Sequence, residues 1–262
     1  MTLPHALLLG LLQGVAEFLP ISSSGHLVIA QSLMGLAGPQ VAFDVLLHLA
    51  TLLAVLLYFR RDVARLLAAL LPGGEAGARR VVAVVLLATL PTGVIGVAID
   101  HYGQGLFASA PFAAAMLLVT GAILVAAERT RPGAVAMEEV APGRALLLGV
   151  AQGLAVLPGI SRSGTTIAAG LAMEMEAVAA ARLSFLISVP AILGAVVLES
   201  RDLAGAANGG GLLPMAAGAA VAFASGLASI HLLLKLLARR RLWPFALYCW
   251  LVGGAVLAGR LL

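Results

Sequence analysis

LLLGLLQGVAEFLPISSSGHLVIA (7–30) aligns without a gap on LLLGVAQGLAVLPGISRSGTTIAA (146–169), at a constant offset of 139 residues. Identities include Gln13/Gln152, Gly14/Gly153, Ile21/Ile160, Ser22/Ser161, Ser24/Ser163 and Gly25/Gly164. Both stretches are apolar at their ends and broken in the middle by Pro, Gly and Ser, as FLPISSSGH and LPGISRSGTT. An apolar half of about 10–14 residues is too short to cross a bilayer and suits a re-entrant segment. The sequence therefore predicts two re-entrant helical hairpins, over 3–36 and 143–173.

The chain around them is 61% hydrophobic and 11% charged, with a mean hydropathy of +1.07. A soluble domain is about 45–50% apolar and about 25% charged. These departures exclude an ordinary globular enzyme, a disordered chain and a nucleic-acid-binding protein. The net charge of +4 belongs to loop arginines rather than to a phosphate-reading face. Cys249 is the only cysteine, so no intrachain disulfide forms. The start, MTLPHALLLGLLQG, has no basic region before its apolar run and does not read as a signal peptide.

Long apolar runs predict six spans, at 41–59, 80–99, 111–127, 177–198, 212–236 and 243–261. The expected fold is all-α: a polytopic membrane protein with six transmembrane helices, two re-entrant hairpins and an inverted-topology internal repeat. It forms one membrane domain over 1–262, with repeat units 1–139 and 140–262. Each unit is one hairpin followed by three spans. Three is odd, so the second unit sits upside down relative to the first, and such repeats place a polar site near the membrane interior. Arginine concentrates in loops 60–65, 79–80, 129–144 and 235–241, while 36–40 and 100–110 carry none and 199–211 only Arg201. The positive-inside rule puts the rich loops in the cytoplasm and both termini outside, with the first hairpin entering from outside.

The hairpins hold the chemistry. The first carries Gln13, Glu17, Ser22, Ser23, Ser24 and His26, with Gln13 and Glu17 spaced to share one helix face. An ionisable group at membrane depth costs roughly 2.5–3.5 kcal/mol, so Glu17 needs a partner, a metal or a wet cavity. The second carries Ser161, Arg162, Ser163, Gly164, Thr165 and Thr166. Arg162 offers a bidentate fork for phosphate, or an ion pair that locks Glu17 and the two hairpins together. Loop amides, hydroxyls and a helix opening after Gly164 would add donors to an anion site. His26 is a candidate general acid or base, a metal ligand or a helix cap. Asp44 and His48, four apart, read as a hydrogen-bonded pair supporting the hairpin. The tips are expected to meet around one polar cavity holding Glu17, His26 and Arg162, open to the outer face.

QGVAEFLPISSSGH (13–26) and PGISRSGTT (158–166) resemble the two signature motifs of the undecaprenyl-diphosphatase family, the bacitracin-resistance type of membrane phosphatase. The likeness covers length, span number, repeat and both motifs. It implies hydrolysis of undecaprenyl diphosphate to undecaprenyl phosphate and inorganic phosphate, recycling the carrier for peptidoglycan. It implies Mg2+ or Ca2+, with Gln13 and Glu17 filling the family's (Glu/Gln)xxxGlu motif and serving as metal ligands. It implies catalytic roles for Glu17, Ser23, His26 and Arg162, and substrate contacts from Gln13, Ser22, Ser24, Ser161, Arg162, Ser163, Gly164 and Thr165. Gln13 ligates through its carbonyl and cannot be a base. The nucleophile is Ser23 activated by His26, or a water activated by His26 or Glu17. The expected location is the bacterial inner (plasma) membrane with the active site facing the periplasm. The expected partners are the polyprenyl diphosphate and membrane lipid, with no nucleic acid and a homodimer left open. The rival reading is a polyprenyl-phosphate transporter or flippase using the same phosphate site, since inverted repeats with broken helices are common there.

Overall fold

A computed structural model of the chain describes every residue except 37–39, 207–210, 240 and 260–262; at 104 and 199–206 it describes the backbone alone. Most of the arginine-free loop 36–40, much of 199–211 with the side chain of Arg201, and Arg240 thus fall outside the described residues. Among the described residues the regular structure is helical, apart from an isolated bridge between Val135 and Met175. In chain order the helices are α1 (Leu3–Phe18), α2 (Ser23–Leu33), α3 (Val41–Tyr58), α4 (Arg60–Ala69), α5 (Ala76–Tyr102) and α6 (Ala110–Glu128). There follow α7 (Pro142–Leu154), α8 (Arg162–Ala172), α9 (Ala177–Ala206), α10 (Leu212–Leu237) and α11 (Trp243–Leu257).

Both copies of the repeat fold as helix, break, helix. Thr2 caps α1 by accepting from the His5 amide. The helix stops at Phe18 because Pro20 holds Leu19 in an extended conformation, φ −65° and ψ 144°. α2 restarts at Ser23 under a hydroxyl cap from Ser22. α7 opens on Pro142 in its first turn and ends before Pro158, and α8 restarts at Arg162 under a hydroxyl cap from Ser161. The restarts at 23 and 162 preserve the offset of 139 seen in the sequence. A serine just before the second helix is what an N-cap requires.

Among the described residues five helices are long and apolar enough to cross a membrane: α3, α5, α6, α9 over Ala177–Leu198, and α10. Only 17% of the apolar window of α5 is buried, and Leu86, Leu90, Val94 and Val97 line its outer face, with Val94 73% exposed. Water would not tolerate such a row, and lipid tails do. The sixth expected span comes out shorter. α11 has 15 residues, about 22 Å, against a bilayer core of about 30 Å. Its start is fixed by Pro244 and by the Glu128 carboxylate, which accepts from the Leu242 and Trp243 amides; Gly259, at φ +68°, turns the chain just past its end. α4 is a further difference, since 60–65 reads in sequence as loop. It is a short helix with Arg60, Arg61 and Arg65 in its first half and exposed Leu67 near its end.

Packing between helices relies on close backbone approach. In lipid there is no hydrophobic force between helices, so contact area and small residues decide which pairs associate. α1 carries Gly10 and Gly14, and α7 carries Gly149 and Gly153 at the same repeat positions. A Cβ on Gly10 would lie 2.2 Å from the Gly218 carbonyl oxygen of α10; one on Gly149 would lie 2.1 Å from that of Ala88 in α5. Thus α1 packs on α10 and α7 on α5, so that each hairpin's first helix is held by the other half of the chain.

The arginine-rich segments gather at one end of the bundle. Arg65 pairs with Glu75 and with Glu138 at 3.1 Å, Arg182 pairs with Asp62, and Arg79 donates to the carbonyls of Ala69 and Leu71. The bonds from Arg65 hold the Glu75 carboxyl below the usual carboxylate range.

Replacing Gly10 or Gly149 by Ala should destabilise the protein by about 1–3 kcal/mol, the cost of over-packing. Gly194→Ala, where a Cβ would meet nothing within 4 Å, is the neutral control. Thermal unfolding in detergent measures all three, and equal Tm values would contradict the backbone contacts.

Candidate functional site

The two hairpin tips meet, through reciprocal contacts. The Ser22 hydroxyl accepts from the Gly159 amide at 3.2 Å and donates to the Ile160 carbonyl at 3.3 Å, reaching from the first tip into the second. Ser163 reaches back, donating to the Leu19 carbonyl at 3.4 Å. Gly25 and Gly164 are repeat equivalents, and each lies against the opposite tip. A Cβ on Gly25 would sit 2.8 Å from the Gly159 Cα, and one on Gly164 would sit 3.2 Å from the Pro20 Cβ. Gly159 has φ +96°, and a side chain there would meet the Ala113 carbonyl oxygen at 2.1 Å. Thr120 of α6 braces the second tip, donating to the Gly159 carbonyl at 2.8 Å and accepting from the Ser161 amide at 3.0 Å. Ser22 itself takes φ +72°, a left-handed conformation costly for a residue with a side chain, held here by its bonds across the junction.

At the junction Glu17 is the hub. It is 6% exposed. Arg162 Nη2 donates to its Oε1 at 2.7 Å. Ser23 Oγ donates to its Oε2 at 2.5 Å, and Gln13 Nε2 to the same oxygen at 3.1 Å. His48 Nε2 stands 3.9 Å from Oε2, and Thr51 accepts from Gln13 Nε2 at 3.4 Å. Thr51 lies seven residues from the Tyr58 end of α3 and ten from its Val41 end, about 10 Å and 15 Å along the helix. The cluster therefore sits at the middle of a span.

Among the described residues of the two hairpins, Gln13 Oε1, Arg162 Nη1 and Thr165 Oγ1 are buried without a hydrogen-bond partner, and so is Gln152 Oε1, the repeat equivalent of Gln13. Buried polar atoms are rarely left so, and each is open to a ligand or a water. Arg162 Nη1 and the Thr165 hydroxyl suit a phosphate oxygen. Gln13 Oε1 with the Glu17 carboxylate suits a hard divalent cation, which takes one or two protein oxygens and completes its shell with water and substrate phosphate. Among the described residues no cluster of three or more His, Cys, Asp or Glu forms a preassembled metal cage.

The structure brings together Gln13, Glu17, Ser23 and Arg162, and joins Ser22, Ser161, Ser163 and Gly164 in the tip contacts. Ser22 and Ser161 are helix caps as well, so their hydroxyls are already engaged; Ser24 bonds Ser22 at 3.5 Å. His26 stands aside from Glu17. Its Nδ1 lies 2.8 Å from the Ser22 carbonyl and its Nε2 2.9 Å from the Tyr248 hydroxyl of α11, with the two rings parallel at 5.4 Å. The expected open cavity with Glu17, His26 and Arg162 around it is instead a packed, hydrogen-bonded cluster. Asp44 and His48 do bond, but through the Asp44 backbone carbonyl, at 2.7 Å from His48 Nδ1; the Asp44 carboxylate takes Gln31. That frees His48 Nε2 to face Glu17. Thr51 and Tyr248 were not legible as site residues, because a lone threonine or tyrosine in an apolar helix carries no signal of what packs against it.

Comparison with known proteins yields one family and many relatives. The family described as "Bacitracin resistance protein BacA" matches residues 6–255. An undecaprenyl-diphosphatase of Syntrophotalea carbinolica is 47% identical, over 98% of this chain and 99% of its own. One from Desulfatibacillum aliphaticivorans is 42% identical over 97% of each chain. One from Methanobrevibacter smithii is 40% identical over 99% of this chain and 98% of its own.

Breaking the Glu17–Arg162 pair from one side leaves a buried charge unmatched, at a cost of about 3–5 kcal/mol. Arg162→Met should therefore lower Tm strongly, and adding Glu17→Gln should restore much of the loss. A double variant no more stable than Arg162→Met would argue against the pair as the link between tips.

Proposed function

The chain belongs to the bacitracin resistance protein BacA family, and on that premise we propose that it is an undecaprenyl-diphosphatase whose chemistry takes place where the two tips join. The observation that carries the site is the Glu17 hub, with Ser23 and Arg162 on its two oxygens and unpartnered phosphate donors beside it. The relatives' enzyme names favour this over the transporter reading.

The diphosphate head reaches the tips while the polyprenyl tail stays in lipid between helices. Arg162 turns its free Nη1, and then the fork, to the terminal phosphate, and Thr165 adds a hydroxyl. Phosphoryl transfer is mostly positioning and charge neutralisation, and this pair supplies both. The Ser23 proton already points at Glu17 Oε2, so Glu17, rather than His26, is placed to take it. Ser23 Oγ then attacks the terminal phosphorus, the bond from phosphorus to the bridging oxygen breaks, and undecaprenyl phosphate departs. Water afterwards cleaves the phosphoserine, releasing inorganic phosphate and returning the proton to Ser23. His26, its Nδ1 on the Ser22 carbonyl, orients the backbone of the first tip. Mg2+ or Ca2+, held by Glu17 and Gln13 Oε1, would neutralise charge on the diphosphate oxygens.

In this reading the two repeat units are inverted and the site opens to the periplasmic side of the inner membrane. The gathering of Arg60, Arg61, Arg65 and Arg182 at one end supports that orientation.

Phosphate release from purified protein in detergent tests the proposal. Arg162→Lys keeps the charge but loses the fork, and should lower turnover by about 10²–10³-fold. Ser23→Ala should be near inactive if Ser23 attacks, and should fall only about 10²–10³-fold if its role is one transition-state hydrogen bond. Chelator should abolish release and Mg2+ restore it. Wild-type turnover by folded Arg162→Lys would remove Arg162 from the site.

A further inference from the structure

At the arginine-rich end, away from both tips, lies a cleft of about 480 Å3 lined by Tyr58, Phe59, Arg60, Arg61, Asp62, Arg182 and Leu234. Its charges do not balance. Asp62 is paired with Arg182, and among the described residues no carboxylate pairs with Arg60 or Arg61. Arg60 spends one N–H on the Leu57 carbonyl, at 3.3 Å, and keeps its charge. Arg60 and Arg61 thus line, with the paired Asp62 and Arg182, a space whose remaining wall is apolar or aromatic, made by Tyr58, Phe59 and Leu234. Phe59 is itself locked into the core against Phe185, at 5.8 Å between ring centroids, so that wall is rigid.

The cleft's position narrows what fits it. It lies where α3 ends and α4 begins, at the turn on Phe59. α4 carries Arg60, Arg61 and Arg65, while Leu67, Leu70 and Leu71 at its far end are 61%, 65% and 63% exposed. Basic residues beside exposed leucines on a short helix at the end of a span describe a segment lying in the membrane interface. A free anion would gain nothing from the apolar wall or the neighbouring leucines. A phosphate carrying acyl chains would use all three features. Basic pockets between helices at this depth suit such headgroups.

We propose that this cleft is a binding site for the phosphate of an anionic phospholipid of the surrounding leaflet. Arg60 and Arg61 hold the phosphate, and an acyl chain lies along Tyr58 and Leu234 toward the bilayer. The site is separate from the Glu17 cluster and does not depend on the reaction assigned there.

The test is thermal unfolding of the purified full chain in neutral detergent, titrated with phosphatidylglycerol, phosphatidylcholine or inorganic phosphate. Phosphatidylglycerol should raise Tm saturably, with no shift from phosphatidylcholine and none from inorganic phosphate that depends on Arg60 and Arg61. Each basic residue near an anionic headgroup contributes about fivefold in affinity, from roughly 1 kcal/mol. Arg61→Gln should therefore weaken the titration about fivefold, and Arg60→Gln with Arg61→Gln roughly 25-fold, while Arg61→Lys stays close to wild type. Phosphate release in detergent should be unchanged in all of them. An equal response to phosphatidylcholine, or an undiminished one in the double variant, would overturn the site. A shift with inorganic phosphate that is lost in the double variant would overturn its assignment to lipid. If the double variant is unstable before lipid is added, the contrast between Arg61→Lys and Arg61→Gln decides the matter.

Discussion

A carboxylate and a guanidinium face each other in the middle of an apolar bundle, and much of this molecule exists to keep them there. Glu17 sits at mid-span depth and is almost wholly buried. Neither charge is affordable alone at that depth, so each is the condition for the other. The pair cannot come from one hairpin. Glu17 ends the first helix of one, and Arg162 begins the second helix of the other. The junction of the tips is thus a requirement of charge burial.

The packing around that junction makes sense as its support. Glycines at Gly10 and Gly149 let the first helix of each hairpin press onto a span from the other half, so the hairpins are fixed by partners outside themselves. Ser22 and Ser161 cap the restarting helices; Ser22 also bonds across to the second tip, and the Ser161 amide is held by Thr120 of α6. The backbone of Ser22, at φ +72°, shows how closely this contact is specified. Strain of this kind persists where surrounding bonds hold it.

The two copies share a scaffold and divide the chemistry. Gln13 bonds Thr51 in one, and Gln152 bonds Thr92 in the other, so the polar brace on the first helix is kept in both. The working positions differ: Glu17 stands opposite Val156, Ser23 opposite Arg162, and His26 opposite Thr165. One unit contributes the carboxylate and hydroxyl of the buried cluster, and the other the cation, so the cluster needs both copies.

The sequence alone determined the membrane fold, the position of five spanning helices, the two breaks and the family. Hydropathy, proline and N-cap serines are local signals, and the physics they report is local: which segment leaves water, where an amide is missing, where a helix can restart. The same logic reached Glu17, Ser23 and Arg162, because an ionisable or hydroxyl group in a broken apolar stretch stands out against its neighbours. Tertiary structure alone decided that His48 of α3 faces Glu17 and Thr51 faces Gln13, that His26 turns to Tyr248, and that α11 stops at 15 residues. Those outcomes depend on which side chains converge from elements far apart in the chain. No local pattern encodes that convergence, because it is set by the packing of all the helices at once.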